Sequence, residues 1–427
     1  MTSAVRNRPT GPGWAAALLA SLSVALRTEV ERDRAPAPES VVSLRDTVRH
    51  CVLVFTGVRV GLGLLALLAT ALLPANTSVD VPGWPAPAPS SWSAAITAWE
   101  RWDALWYLRI ADSGYEAGDG SAAFFPLYPL LVRGLSFLLG GHPLAAALLV
   151  TNACALAAMV VLARLTLDEW GPAAARRTVT YLALFPTAFF LVAPYAEALF
   201  GLLAVSALWA ARRGAWGVAA CAGALAAATR PAGVLLALPF AVEAVTRLRR
   251  EQADPAAIRQ GVRGLAAAGA VPAGLLVYLG GWYVFTGDAL VPFGSQSGWQ
   301  RTLTWPWAAL AAGVREGLRF PGAYSGGYAS LDLVVVAAVL VAAVWVVRRT
   351  AATYAVYVVS ALVLPLLLTF DGRPFMSVPR FVLPLFPLWW GLARAAERYG
   401  VHDAVVAVFA AGLGALTVLY VNWYYVF

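Results

Sequence analysis

Apolar runs of about 20 residues, long enough to cross a bilayer, recur from residue 52 almost to the last residue of this chain. Inside hydrocarbon a backbone must satisfy its own N–H and C=O groups, so runs of this kind can only be helices. A soluble protein with buried helices is excluded because the stretches between the runs carry too little polar surface. The mean hydropathy is +0.70 and 60% of residues are hydrophobic. The pattern predicts an all-α, polytopic transmembrane helical bundle of about 11 spans, within roughly 10 to 12. The expected spans are 52–74, 143–165, 178–194, 196–211, 215–229, 232–246, 265–286, 331–347, 351–370, 380–396 and 403–425. Residues 123–139 are also apolar, but Pro126, Pro129 and Arg133 interrupt them, which predicts an interfacial or re-entrant piece.

The net charge of +8 would point to nucleic acid in a soluble chain. In a membrane protein, cationic residues instead mark the cytoplasmic loops. Placing the N-terminus in the cytoplasm gathers Arg176–Arg177, Arg212–Arg213, Arg247, Arg249, Arg250, Arg259, Arg263 and Arg348–Arg349 on that side. Two long extracytoplasmic loops follow, at about 75–142 and 287–330, and loops of that length usually carry function. The first is proline-rich at 82–89 and then becomes helix-like and charged, which predicts interfacial helices. Residues 1–50 read as a partly disordered cytoplasmic tail and 51–427 as the transmembrane domain. The run Trp14–Leu26 is short for a span and is followed by charge rather than a cleavage site, so no signal peptide is expected. All 31 basic residues are arginine, and with abundant alanine, glycine and valine this points to a bacterial plasma-membrane protein.

Cys51, Cys154 and Cys221 are dispersed, as are His50, His142 and His402, so neither a metal site nor a disulfide framework is expected. No Walker loop, G-x-S-x-G elbow or Asp-x-Asp occurs, and no cofactor is implied.

Charge is scarce, yet "ERWDALWYLRIADSGYE" at residues 100–116 is crowded with it. If 99–113 is helical, Asp103, Trp106, Tyr107 and Ile110 share one face. A carboxylate beside aromatic rings suits a sugar hydroxyl, the rings packing on the sugar and the carboxylate taking the proton. The same pattern also fits an interfacial helix with Trp and Tyr anchors. In "FPTAFFLVAPYAEALFGLL", Glu197 lies within an apolar run, where an ionisable group is either functional or half of an interhelical salt bridge. Arg230, in "ATRPAG", lies on the outer side against the charge bias. It could bind phosphate through its fork of donors or snorkel to lipid headgroups. Arg373 and Arg380 repeat the theme where an outer loop meets a span. The second outer loop adds Asp288, Gln296, Trp299 and Arg301, with aromatic-belt packing as the plainer reading.

The order Trp-Asp-Ala, Ile-Ala-x-x-Gly-Tyr and Ala-Phe-Phe-Pro-x-x-Pro-Leu, continuing through "APYAEALF" and "GALAAATRPAG", resembles the PIG-V family of membrane mannosyltransferases. The resemblance covers about residues 99–245 well and the remainder loosely. It implies a GT-C fold, a mannosyl donor carried on a polyprenyl phosphate, no metal, and an extracytoplasmic active site. The acceptor hydroxyl would belong to a membrane lipid or glycan. It places the family's aspartate on Asp103, its glutamate on Glu197 and its arginine on Arg230. The chain has Ala196 where the family has serine, Glu116 directly after Tyr115, and Pro231 and Ala232 after the arginine. The expected roles are Asp103 as general base and Arg230, Arg380 and Arg373 at the donor phosphate. Trp102, Trp106, Tyr107, Asp112, Tyr115, Glu116, Tyr195, Glu197, Gln296 and Trp299 are expected to line the substrates. A transporter or flippase is the competing class, but transporters place polar sites near the midplane and often show repeats, and no repeat is visible here. A non-catalytic scaffold is a third possibility.

Overall fold

Prolines and glycines set where the helices of this chain stop. The computed structural model describes residues 44–76, 92–250, 254–319, 328–370 and 372–426. Most of the expected tail, the run Trp14–Leu26 and the proline-rich 82–89 lie outside the described residues. Helix α1 (Leu44–Leu72) begins within the stretch expected to be tail, where His50 Nε2 lies 3.3 Å from the Arg176 carbonyl. Two short helices follow, α2 (Ala94–Thr97) and α3 (Asp103–Ser113), then α4 (Leu127–Leu138). At 12 residues, α4 would rise only about 18 Å, short of a bilayer core.

Helix α5 (Pro143–Leu184) is two limbs joined at a corner. Gly171 takes φ 82° there, and Pro172 supplies no N–H to the helix. The returning limb ends at Leu184, well short of the expected 194. Pro186 and Pro194 bracket an irregular stretch holding only a 3-10 turn at Ala188–Leu191. Helices α6 (Glu197–Arg212) and α7 (Trp216–Ala227) come next, then a 3-10 turn over Pro231–Leu236 that leads into α8 (Ala237–Arg250). Helices α9 (Pro255–Ala270) and α10 (Ala273–Thr286) follow. The second loop contains α11 (Val291–Gly298), strand β1 (Arg301–Leu303) and α12 (Pro306–Leu318). The chain then runs through α13 (Ala329–Arg349), α14 (Ala352–Leu367), β2 (Leu368–Phe370), α15 (Val378–Phe381), α16 (Pro387–Tyr399) and α17 (His402–Val421). The expected span at 380–396 is broken between α15 and α16, where Pro384 and Pro387 cannot donate ladder bonds.

Among the described residues six helical stretches are long and apolar enough to cross a membrane: Arg45–Leu72, Pro143–Trp170, Pro231–Arg249, Pro255–Thr286, Ala329–Arg349 and His402–Val421. The remaining expected spans are shorter or interrupted helices. Large apolar side chains point outward from the spans, with Leu72, Val277, Val284 and Val341 each more than 70% exposed. A protein in water rarely leaves such a surface bare, whereas lipid covers it at no penalty.

The strands pair antiparallel, with Arg301 opposite Phe370 and Leu303 opposite Leu368. This two-stranded ribbon ties the second loop to the segment before α15. Helix α7 is almost entirely small residues, "WGVAACAGALAA", and two glycine backbones press against it. A Cβ at Gly274 would sit 1.9 Å from the Ala224 carbonyl oxygen, and one at Gly233 would sit 2.2 Å from that of Ala226. Neither backbone can yield easily. Gly274→Ala should therefore destabilise the protein by about 1–3 kcal/mol, while Gly280→Ala, with no atom within 4 Å of its added methyl, should not. Thermal unfolding in detergent compares the two, and equal melting temperatures would contradict the close crossing.

Candidate active site

Four charged side chains from four chain breaks meet at one end of the bundle. Asp103 is the first residue of α3 and Glu197 the first of α6. Each carboxylate thus sits at the positive end of a helix dipole, an arrangement favourable by about 0.3–1 kcal/mol. Arg230 occupies the extended position between α7 and the 3-10 turn, where Pro231 prevents α7 from continuing. Arg380 is carried on the one-turn helix α15, whose start Ser377 takes a left-handed φ of 67°.

Arg380 bridges the two acids. Its Nη1 donates to Asp103 Oδ2 at 2.6 Å and its Nε lies 3.1 Å from Glu197 Oε1. Arg230 Nη1 donates to the same Glu197 oxygen. Glu197 is 1% exposed, Arg380 8%, Arg230 14% and Asp103 28%, so Asp103 is the member open to a substrate. Aromatic faces enclose the guanidinium groups. Arg380 lies 5.4 Å from the Phe190 ring centre and 5.5 Å from that of Tyr195. Burial opposes the charge on Arg380, but Asp103 and Glu197 outweigh it and hold its pKa above the usual arginine value. A charge-assisted chain this dry is rigid and strongly held.

Trp102 packs edge-on against Trp423 and Tyr425, so the chain's last turn braces the segment that carries Asp103. Tyr195 and Tyr420 both donate to the Arg101 carbonyl at 3.2 Å. Tyr107 is buried against Phe124, Tyr128 and Tyr195. Trp106 stacks on Phe124 and meets the edge of Trp299 at 5.4 Å, which joins the two long loops. Trp299 Nε1 donates to the Gly120 carbonyl at 3.2 Å. Gln296, on α11, is half-buried one turn before it.

Other expected site residues lie apart from the four charges. Asp112 is exposed and accepts a hydrogen bond from the neighbouring Ser113 hydroxyl at 3.1 Å. Glu116 is 72% exposed and pairs with Arg109 at 3.0 Å. Tyr115 Oη donates to the Phe124 carbonyl at 2.7 Å and packs on Trp282. Arg373 differs most from expectation. Its Nε donates to Asp332 Oδ2 at 2.6 Å and its Nη2 donates to Asp332 Oδ1 and the Val426 carbonyl, both at 3.0 Å. Arg373 is 2% exposed and Asp332 fully buried, so the bidentate pair locks α13 to the segment before α15 rather than facing a ligand.

The sequence reading passed over Phe381 and named Arg301 only as part of the second loop, without a role at the charges. Phe381 lies next to Arg380 and its ring stands 4.7 Å from the Arg230 guanidinium and 5.1 Å from that of Arg380. Arg301 reaches the same ring at 6.0 Å. No local sequence signal brings the two together, because the hub forms only when β1 and β2 pair. No group of three or more histidine, cysteine or acidic residues among the described residues could hold a metal ion.

The fold and site together define a polytopic helical membrane protein with a charged, aromatic-walled cluster at one end of its helices. ArnT from Cupriavidus metallidurans, solved with undecaprenyl phosphate bound, shares this fold with a TM-score of 0.50 at 14% identity, over 87% of this chain and 76% of that one. Residues 52–248 match the family described as Mannosyltransferase (PIG-V). GPI alpha-1,6-mannosyltransferase 2 of Rattus norvegicus is 34% identical over 155 residues, 33% of this chain and 31% of that protein. Its Cricetulus griseus counterpart is 35% identical over 160 residues, 34% and 31% of the two chains. The chain thus aligns with about a third of the length of these curated relatives.

The buried placement of Arg373 yields a test. Arg373→Met or Asp332→Leu alone leaves an unpaired buried charge and should cost about 3–5 kcal/mol, while the double substitution should recover most of it. Melting temperatures of the three variants check this. A double variant no more stable than either single would contradict the pairing.

Proposed function

We propose that the chain is an inverting glycosyltransferase that moves mannose from polyprenyl-phosphate-mannose to an acceptor hydroxyl at the extracytoplasmic membrane face. The observation that carries the reading is a partly exposed carboxylate, Asp103, held by Arg380 inside a region that matches a mannosyltransferase family. The acceptor is a membrane lipid or glycan, brought to Asp103 along the bilayer.

Orientation is supported by a second pole of charge. Helix α6 has 16 residues, so Arg212 lies about 22 Å from Glu197 along its axis. There Arg212 pairs with Glu243 at 3.1 Å, Arg213 with Asp168 at 2.7 Å and Arg247 with Glu243 at 3.0 Å. That arginine-rich pole takes the cytoplasmic side by the positive-inside rule, which leaves the Asp103 pole outside.

In the proposed step the acceptor oxygen attacks the anomeric carbon from the face opposite the phosphate. The new C–O bond forms as the bond from that carbon to the phosphate oxygen breaks, and its electron pair leaves on the polyprenyl phosphate. A carboxylate is a weak base, so the hydroxyl proton passes to Asp103 only as the attacking oxygen becomes positive. Arg380 fixes the carboxylate in one orientation, and the aromatic walls formed by Trp106 and Trp299 offer faces for the sugars. Arg380 and Arg230 stabilise the developing phosphate charge through their field, each remaining bonded to a carboxylate. Glu197 keeps both in place. The cluster sits at helix beginnings rather than in mid-span, which favours a transferase over a transporter.

Asp103→Asn should lower mannose transfer from polyprenyl-phosphate-mannose to a membrane-lipid extract by about 10²–10⁴-fold, with melting temperature and donor binding retained. Transfer at the wild-type rate would remove Asp103 as the base.

A further inference from the structure

Three guanidinium groups surround the Phe381 ring, but only two carboxylates neutralise them. Arg230 and Arg380 are bonded to Glu197 and Asp103. Arg301 forms no ion pair among the described residues, although its guanidinium is half-buried, 4.7 Å from the Phe370 ring and 6.0 Å from that of Phe381. Burial, reinforced by Arg380 and Arg230, pulls its pKa down to about 10, with Asp103 opposing, so the group stays protonated at neutral pH but unsatisfied. The backbone aims it there: Gln300 turns the chain out of α11 through a left-handed φ of 58°, and the pairing of Arg301 with Phe370 fixes its register. A half-buried arginine lacking an anion, beside two that already have theirs, is a cation held ready for a ligand.

We propose that Arg301, rather than Arg230, Arg380 or Arg373, directly receives the phosphate of the lipid-linked donor. The identity of the anion rests on the transferase reading above; the need for one does not. The charges match throughout the reaction. Three arginines and two carboxylates carry a net +1, which offsets the single negative charge of a polyprenyl-phosphate-sugar diester. When the sugar leaves, the phosphate becomes a monoester with a second negative charge. At the same step the acceptor's proton neutralises Asp103, and the cluster becomes +2. The pocket therefore need not import or expel an ion as the glycosyl group moves, and low-dielectric surroundings make such balance matter.

The test compares binding of undecaprenyl phosphate with that of undecaprenol, its uncharged counterpart, to the purified full-length protein by native mass spectrometry. The wild type should prefer the phosphate, and Arg301→Gln should reduce that preference by about tenfold or more. Arg301→Lys, which keeps the charge without the fork, should retain part of it. Arg319→Gln, an exposed residue paired with Glu316 on α12, should leave it unchanged. A wild type without preference overturns the assignment, as does an Arg301→Gln or Arg301→Lys protein indistinguishable from wild type and from uncharged-lipid binding, respectively. Phosphate preference that depends on Arg301 without any mannose transfer by the wild type would leave the assignment standing and sink the transferase reading. Transfer by the wild type with phosphate preference intact in Arg301→Gln would do the reverse.

Discussion

One buried carboxylate organises the site. Glu197 holds two guanidinium groups on a single oxygen, and without it Arg230 and Arg380 would be cations in an apolar wall. Removing one partner from such a cluster is far worse than never having built it, because the surviving charge has no water to turn to. Arg380 then reaches Asp103, so the position of the exposed acid depends on the buried one. The four charges come from sequence positions 277 residues apart at their extremes, yet a single chain of ion pairs sets their geometry.

Helix breaks make this possible. A residue in mid-helix has its backbone committed and its side chain confined to one face. Asp103, Glu197, Arg230 and Arg380 instead lie where a helix starts or stops, and the irregular backbone there is protected by protein rather than lipid. The β1–β2 ribbon serves the same end by drawing the second loop over the cluster. The end of the bundle that holds the cluster is thus irregular and polar inside, while the long apolar helices present leucine and valine on their surface.

The class of fold was legible because apolar runs leave a membrane chain few choices. The number of full spans was not, since hydropathy cannot tell a crossing helix from one that stops early. Pro194, Pro384 and Pro387 mark the breaks that the apolar runs at 178–194 and 380–396 concealed. Asp103, Glu197, Arg230 and Arg380 were each visible as charges out of place, but which touched which depends on tertiary contact. Arg373 shows the limit. It shares an outer segment with Arg380, and nothing local separates the two; the difference is Asp332, 41 residues upstream on α13. Arg301 was seen as part of a polar loop, and its want of a partner appears only once the carboxylates around it are assigned.

The most direct test of the whole account is a cryo-electron microscopy structure of the wild-type protein with polyprenyl-phosphate-mannose bound. The account predicts phosphate density against the guanidinium groups around Phe381, with the sugar beside Asp103 and the lipid tail leaving between spans. Donor bound instead at the Arg212–Glu243 pole, or with its phosphate remote from Phe381, would contradict it.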